Sequence, residues 1–475
     1  MKTPVLLSLC FCAAVASAQT NTPPETVKEE ASSGLTFLYG ADLRLRQELY
    51  DNIPGDPADP FGLYQAPSGK NANYFRYRPR IWGGLGNETF KLYTRLTDEM
   101  REYVVKNGKR RDDRSYNFPD ELIVDNLYFE GMGLFDGFLD FRIGRQDFFD
   151  NGRPAFGAGR VLMDGTPYDG SRTLFFDAAR FTLHPTAKSS LDAIAIYDNS
   201  RNELHWGRPT PDPRPTNAID PRDQPDMDQM GGVLYYKNAE FQAFPFEAYY
   251  VYQHSQDYNT AGRHMPSRSD NTFGIRLLPQ FTEELEGEFE GAAQAGKKGN
   301  NAATRGYMAF AGLKYKPDWE LVKPAKPFFR AACYYLSGDA DRSVDGNDTA
   351  WNPVWGRWPQ LSEMHCYGPL YGLGYWSNLT YPHLGAGANI GLHHKIDAYS
   401  GPMFASVQDG LGGGDSNYEG WLTCLRYDFP IWKNPRGNGR GDIFGHIMGE
   451  CLQPGDYYVT DKTAYFFRWE INFVF

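Results

Sequence analysis

The last twelve residues alternate between two kinds of side chain, and this alternation is the strongest constraint on the fold. Apolar residues at 465, 467, 469, 471, 473 and 475 interleave with a second series that includes Arg468 and Glu470. A period of two places successive side chains on opposite faces of a β-strand. A strand with one apolar and one charged face needs either a soluble core or lipid against its apolar face. A closing aromatic strand that ends at Phe475 favours an outer-membrane barrel, which the barrel assembly machinery would recognise through this strand.

The composition excludes several other classes of protein. Gly (50) and Pro (32) together make up about one residue in six of the 475, which argues against a mainly helical chain. Mean hydropathy is −0.56, and beyond the N-terminus no apolar run approaches the ~20 residues of a membrane helix. The 41% hydrophobic content excludes wholesale disorder. The formal net charge is −11, and we expect no nucleic-acid partner.

The N-terminus has the pattern of a secretory signal. Lys2 precedes an apolar run over residues 5–15, and Ala16-Ser17-Ala18 supplies the small residues of a cleavage site. We therefore predict a signal peptide at 1–18 cleaved after Ala18, a flexible periplasmic leader at 19–33, and a barrel in the cell outer membrane at 34–475. Four cysteines remain after cleavage, and their pairing is left open: Cys333, Cys366, Cys424 and Cys451.

Period-two alternation recurs along the whole chain and predicts an all-β protein, a closed antiparallel transmembrane β-barrel of about 18 strands. Only closure satisfies the backbone of such a sheet within a bilayer. Short turns alternate with long polar stretches at 50–73, 148–172, 199–230 and 337–377, as in barrels with short periplasmic turns and long extracellular loops. The strands are predicted at 35–49, 74–85, 88–104, 120–130, 138–147, 173–184, 190–198, 231–237, 246–255, 271–279, 284–295, 305–315, 328–336, 378–392, 395–404, 419–430, 441–452 and 464–475.

Arginine dominates the face of these strands that would line the inside of the barrel. Leu43 and Leu45 alternate with arginines in the first strand, and Tyr77 and Ile81 do so in the second. Guanidinium groups on a rigid wall suit bidentate recognition of carboxylates. The alternative is that these charged side chains only keep the wall of the pore hydrated and select no solute. The predicted inward arginines are Arg44, Arg46, Arg76, Arg78, Arg80, Arg95, Arg142, Arg180, Arg276, Arg330, Arg426 and Arg468.

Carboxylates share the same predicted inner face. Glu286, Glu288 and Glu290 form a strip on one strand, Asp140 accompanies Arg142, and Glu470 accompanies Arg468. An arginine wall opposite this carboxylate strip would create a transverse field across the pore. The net negative charge of the chain does not contradict a locally basic path, because total charge says little about one surface.

Two other constellations give weak signals. Asp339, Asp341 and Asp345 crowd one loop, but position five of an EF-hand would fall on Ser343, so a solvated loop is favoured over a calcium site. Asp442, His446 and Glu450 share a strand face without a serine or cysteine nucleophile beside them. We therefore expect no enzyme activity, no cofactor and no metal.

Several segments resemble the alginate-export family of outer-membrane barrels, and the resemblance spans most of the mature chain. It implies an eighteen-stranded monomeric barrel whose arginine-lined pore passes an anionic polysaccharide, with loops that plug the opening. The segments are Phe141 to Gln146, Tyr335 to Asp339, Trp351 to Trp355, Gln453 to Tyr458 and the closing strand Ala464 to Phe475.

Together, these observations favour a passive outer-membrane channel, embedded in lipid, for anionic poly- or oligosaccharides such as alginate. Arginine side chains would replace the hydration of the carboxylates at weak, repeated sites. A general porin is one alternative. A surface barrel that stacks sugars on Trp206, Trp351, Trp355 and Trp358 is another, and a barrel enzyme is a third.

Overall fold

The structure of the protein is a computed structural model. It describes residues 29–30, 34–54, 70–104, 121–150, 153–163, 173, 175–199, 201, 203–207, 210–211, 218–219, 228–260, 263–341, 343, 346–356, 361–364, 377–391, 393–410, 412–435 and 439–475. The predicted signal peptide and residues 19–28 and 31–33 of the predicted leader lie outside this part of the chain. Among the described residues, no helix is long and apolar enough to span a membrane.

Eighteen strands of the described chain form one antiparallel ring, in which each strand pairs with its neighbours in sequence. Residues of every predicted strand fall within one of them. The strands are β1 Thr36–Ile53, β2 Lys70–Gly86, β3 in two segments Phe90–Thr97 and Met100–Tyr103, β4 Glu121–Gly133, β5 Leu139–Gln146, β6 Phe176–Thr186, β7 Ser189–Asp198, β8 Gln229–Asn238, β9 Phe246–Ser255, β10 Arg268–Leu277, β11 Leu285–Lys298, β12 Ala303–Tyr315, β13 Pro327–Leu336, β14 Leu379–Ile390, β15 His394–Phe404, β16 Tyr418–Trp432, β17 Ile443–Pro454 and β18 Ala464–Val474.

The ring closes between its first and last strands. Leu43 of β1 lies opposite Phe473 of β18, and Phe475 N–H donates to Ala41 O at 2.8 Å. Closure gives every strand two neighbours, which satisfies the backbone amides and carbonyls without an open edge. The predicted closed antiparallel barrel of about 18 strands is thus confirmed.

The third strand departs from the continuous strand predicted over 88–104. It is interrupted at Asp98 and Glu99, opposite Pro79 of β2. Asp98 N–H donates to Pro79 O at 3.1 Å, but proline has no N–H with which to complete the pair. The interruption leaves Glu99 pointing into the barrel, where it becomes part of the charged site described below.

The barrel wall has an apolar outer face and a mixed inner face. Ile81 and Leu85 on β2 are 57% and 50% exposed, whereas Arg78 and Arg80, one residue out of phase with Ile81, are 3% and 5% exposed. The inner face carries mainly aromatic and amide side chains in its extracellular half and charged side chains toward the periplasmic ends of many strands. Two loops enter the extracellular half and pack against it.

Candidate functional site

Two extracellular loops meet inside the barrel and pack against each other. Leu162 and Trp355 make a parallel β-bridge. Met163 N–H donates to Trp355 O at 2.9 Å, and Trp355 N–H donates to Val161 O at 3.0 Å. Gly356 permits this approach, because a Cβ at that position would lie 2.2 Å from the Arg160 carbonyl oxygen. We call residues 153–163 and 351–356 the inner loops.

Buried amides fix the second inner loop to the wall. Trp355 Nε1 donates to Gln229 Oε1 of β8 at 2.9 Å, and Gln294 Nε2 of β11 donates to Asn352 O at 2.7 Å. Asn352 Nδ2 in turn donates to Asp270 Oδ2 of β10 at 2.8 Å. Buried polar groups that find partners in this way specify one arrangement of the loop.

Arg160 fixes the first inner loop to a different part of the wall. Its Nη1 lies 2.7 Å from Glu288 Oε1 and 2.5 Å from Glu290 Oε2, and its guanidinium carbon lies 3.9 Å from the centre of the Phe310 ring. Burial alone would lower the pKa of Arg160, but Tyr334, Glu288 and Glu290 hold it well above its usual value. The inner loops are therefore anchored on β8 and β10 to β12.

Six of the predicted inward arginines gather on β1, β2 and β18, together with four carboxylates. We call this group the arginine cluster. Its members lie between 0 and 8% exposed, and Glu48 contacts three of the arginines. Six guanidinium groups and four carboxylates leave an excess of two positive charges, which Glu363 of an extracellular loop, paired with Arg468, lowers to one. The members are Arg44, Arg46, Arg76, Arg78, Arg80, Arg468, Glu48, Glu99, Glu470 and Asp42, which is 8% exposed.

The register of the barrel explains this grouping. Arg44 lies directly opposite Arg78, and Arg46 lies opposite Arg76. Like charges in cross-strand pairs repel one another, so carboxylates must lie between them. Arg44 Nη2 lies 2.7 Å from Glu99 Oε2, a carboxylate at the interruption of β3, two strands away from β1.

The remaining predicted arginines form ion pairs around the wall, and in three of these pairs the cation is the more exposed member. Side-chain exposure of these three arginines is 13–22%, compared with 1–5% for their partners. A soluble anion inside the barrel would thus meet guanidinium before carboxylate. The three pairs are Arg142 with Glu130, Arg180 with Asp192, and Arg330 with Asp397.

In other ion pairs the carboxylate is more exposed than the arginine, or both side chains are buried. Glu288 is 29% exposed beside Arg276 at 13%, and Asp428 is 31% exposed beside Arg426 at 9%. Arg95 contacts two carboxylates, at 2.8 and 2.9 Å. The nearer one, Asp125, lies at a β-bulge between β3 and β4, which re-aims its side chain.

The predicted carboxylate strip is paired with cations on its own side of the barrel, and the predicted transverse field across the pore stays a prediction. Glu286 pairs with Lys314 and Lys316, whereas Glu288 and Glu290 pair with Arg160. Charges on this wall are neutralised by neighbours a few ångströms away, because a buried guanidinium or carboxylate needs a local counter-ion. Likewise, the charges predicted side by side take different partners: Asp140 binds His184 and Glu470 binds Arg46. That the inward residues line a transport path stays a prediction.

The weaker constellations have structural roles where they are described. Asp345 lies outside the described residues, and within them no group of three or more His, Cys, Asp or Glu could hold a metal. Trp351 and Trp355 are 2% and 0% exposed, so their rings pack in the core of the inner loops rather than toward a sugar. Glu450 accepts a hydrogen bond from Ser362 Oγ at 2.5 Å.

Three of the four cysteines of the predicted mature chain, and Trp206, lie in the described part of the chain. Cys333 and Cys451 are free thiols, Cys424 is buried, and Cys366 lies outside the described residues. Trp206 is 53% exposed, and position 358 is not described.

The sequence patterns missed several residues of this site. Asp42 and Glu48 lie in phase with Arg44 and Arg46, so the same period-two rule assigns them to the inner face. Arg160 lies in a loop without a periodic signal. Its role became visible only from its contacts with the wall.

Comparisons with solved structures agree with this architecture. OpdK from Pseudomonas aeruginosa, solved with vanillate, has a TM-score of 0.54 at 9% identity, covering 92% of this chain and 98% of that one. A BenF-like porin from Pseudomonas fluorescens Pf-5 has a TM-score of 0.54 at 11% identity, with coverages of 92% and 98%. OccAB1 from Acinetobacter baumannii has a TM-score of 0.52 at 8% identity, with coverages of 96% and 99%.

These similarities establish that the chain has the fold of outer-membrane porins. No protein-family model matches the sequence, and no curated protein is significantly similar to it. The resemblance to the alginate-export family is therefore supported only at the level of a porin-like barrel.

Proposed function

We propose that the protein is an outer-membrane channel that passes small soluble anions, with carboxylates as the preferred class. The observation that carries this proposal is the distribution of charge inside the barrel. The arginine cluster keeps an excess of one positive charge even with Glu363 paired to Arg468, and Arg142, Arg180 and Arg330 are each more exposed than their carboxylate partners. Local charge at the narrow part of a pore, rather than the net charge of the chain, decides which ions enter.

Small anions fit the interior better than the alginate-like polymer that the family resemblance implies. The inner loops bury Phe156, Trp351 and Trp355 within the barrel and bond to the wall strands between β8 and β12. A polysaccharide needs a continuous wide path, whereas a small carboxylate needs only a few ångströms beside the guanidinium groups. The vanillate in the OpdK structure is a carboxylate of this size, and it guides the choice of probe.

The test uses the purified protein in planar lipid bilayers. We expect a reversal potential that indicates anion preference in a potassium chloride gradient at low salt. We also expect vanillate to carry or block current at concentrations at which an oligomer of guluronate has no effect. Cation preference in the wild-type channel would overturn the proposal, and permeation by the oligomer would restore the polysaccharide as substrate.

A further inference from the structure

A short segment of the long extracellular loop, Leu361 to Met364, is fastened to the wall by one buried carboxylate. Glu450 of β17 accepts hydrogen bonds from Ser362 Oγ at 2.5 Å, from Glu363 N–H at 2.8 Å and from Met364 N–H at 3.1 Å. Two of these donors are backbone amides. The attachment therefore fixes the backbone of the segment and leaves the Glu363 side chain to make its own contact.

The Glu363 carboxylate reaches the arginine cluster. Its Oε1 lies 2.5 Å from Arg468 Nη1, and both side chains are almost completely buried, at 11% and 4% exposure. Arg468 Nε already donates to Glu48 Oε1 of β1 at 2.8 Å. Arg468 thus holds one carboxylate that belongs to the wall and a second one that belongs to a loop.

These two carboxylates differ in what holds them. Glu48 also contacts Arg46 and Arg76, so it is part of the permanent neutralisation of the wall. The only cluster arginine to which Glu363 is ion-paired in the described part of the chain is Arg468. Rotation of the Glu363 side chain would break this ion pair while the three hydrogen bonds to Glu450 stay in place.

A soluble carboxylate would make the same contact with Arg468 Nη1 that the Glu363 carboxylate makes. Guanidinium groups bind carboxylates through short charge-assisted hydrogen bonds, and the excess positive charge of the cluster favours an anion at this position. When the Glu363 side chain leaves, Arg468 remains buried with an unused donor. A small anion that reaches the cluster is the group that would replace it.

We propose that Glu363 is a built-in competitor that occupies the carboxylate position on Arg468 and so determines how tightly the channel holds small monocarboxylates. This inference rests on the proposed function and assigns its specificity to one residue. A transported carboxylate exchanges with the Glu363 carboxylate on Arg468. Exchange keeps binding weak enough for release, because the outgoing anion is displaced by a group that never leaves the protein.

The experiment compares E363Q and E363D with the wild-type channel in bilayers, with sodium vanillate as the probe. E363Q removes the competing charge, and we expect the vanillate concentration for half-maximal effect on current to fall at least threefold. E363D keeps the charge but withdraws it by one methylene, so its value should lie between those of wild type and E363Q. E286Q is the matched control, because Glu286 pairs with Lys314 and Lys316 away from the cluster.

The outcomes separate this inference from the proposed function. A wild-type channel without anion preference contradicts the proposed function, whatever the variants do. An anion-selective wild type in which E363Q and E286Q change the vanillate concentration equally contradicts the role of Glu363. A weaker response to vanillate in E363Q would instead mean that Glu363 orients Arg468 for binding. Heat-modifiable mobility on gels verifies folding, and if E363Q does not fold, an E363D value equal to that of wild type overturns the inference.

Discussion

Leu162 and Trp355 form a parallel β-bridge inside the barrel although they belong to different extracellular loops. Each loop is also bonded to the wall, through Arg160 in one and Asn352 in the other. The two loops therefore stabilise each other and the barrel at the same time. This arrangement holds the two loops inside the barrel, and we expect its removal to have a measurable effect on the current.

Truncating Trp355 should loosen the inner loops without unfolding the barrel. W355A removes a fully buried indole and its hydrogen bond to Gln229, a loss of about 3–5 kcal/mol of packing. We expect a larger and noisier single-channel conductance. W206A, which removes a half-exposed indole, serves as the control. An unchanged conductance in W355A would show that these loops do not limit the current.

Removing Arg95 should destabilise the barrel more than removing an exposed arginine. R95M leaves Asp125 and Asp147 without the guanidinium that lies 2.8 and 2.9 Å from them, at a cost of about 3–5 kcal/mol. R201M breaks an exposed pair with Glu203, worth about 0–1 kcal/mol. Unfolding in urea, followed by gel mobility, compares the two. Equal midpoints would contradict the structural role of Arg95.

Loss of Phe475 should impair closure of the barrel. Its backbone exchanges two hydrogen bonds with Ala41, at 2.8 and 3.3 Å, and these join β1 to the end of β18. We expect a shortened chain that lacks Phe475 to give less folded, heat-modifiable protein in membranes, both through this loss and through weaker recognition by the assembly machinery. F475Y keeps an aromatic end and should assemble normally. Normal assembly of the shortened chain would show that closure of the barrel does not depend on Phe475.

The strands were predictable from sequence because lipid imposes a simple rule on them. Alternate residues of β18 and of β2 are apolar because they contact lipid hydrocarbon on the outer face of the barrel. The same alternation places Arg78 and Arg468 inside. Loops obey no such rule. The position of Arg160 depends on contacts with Glu288 and Glu290, more than a hundred residues away.

The ion-pair partners of the inward charged residues were harder to predict than the face of the strand on which these residues lie. Alternation assigns Arg46 and Glu470 to one face but does not say that they bond across the closing strands. Pairing depends on register, and the register between β1 and β18 is set by closure of the whole ring. Asp125 shows a second limit, because a β-bulge moves its side chain out of the regular alternation.

Thiol labelling tests which face of β5 meets water. Arg142 points inward, whereas the next residue, Ile143, is 47% exposed on the outer face. We expect R142C to react with a membrane-impermeant maleimide in intact membranes and I143C to remain unlabelled in lipid. Both should react after denaturation, which controls for expression. Labelling of I143C but not R142C would reverse the assignment of the two faces.

Replacing Arg330 tests whether exposed arginines, rather than overall charge, set ion preference. Its partner Asp397 is almost completely buried and is also paired with Lys395, so R330Q removes a positive charge that is more exposed than the carboxylate it contacts. We therefore expect the reversal potential to shift toward cation preference. The shift should shrink at high salt, because the Debye length falls from ~10 Å at 0.1 M to ~3 Å at 1 M. K323Q makes the same change of charge in an exposed turn, where Lys323 pairs with Asp318. If both variants shift the potential equally, the mean charge of the chain controls selectivity and the arginines inside the barrel do not.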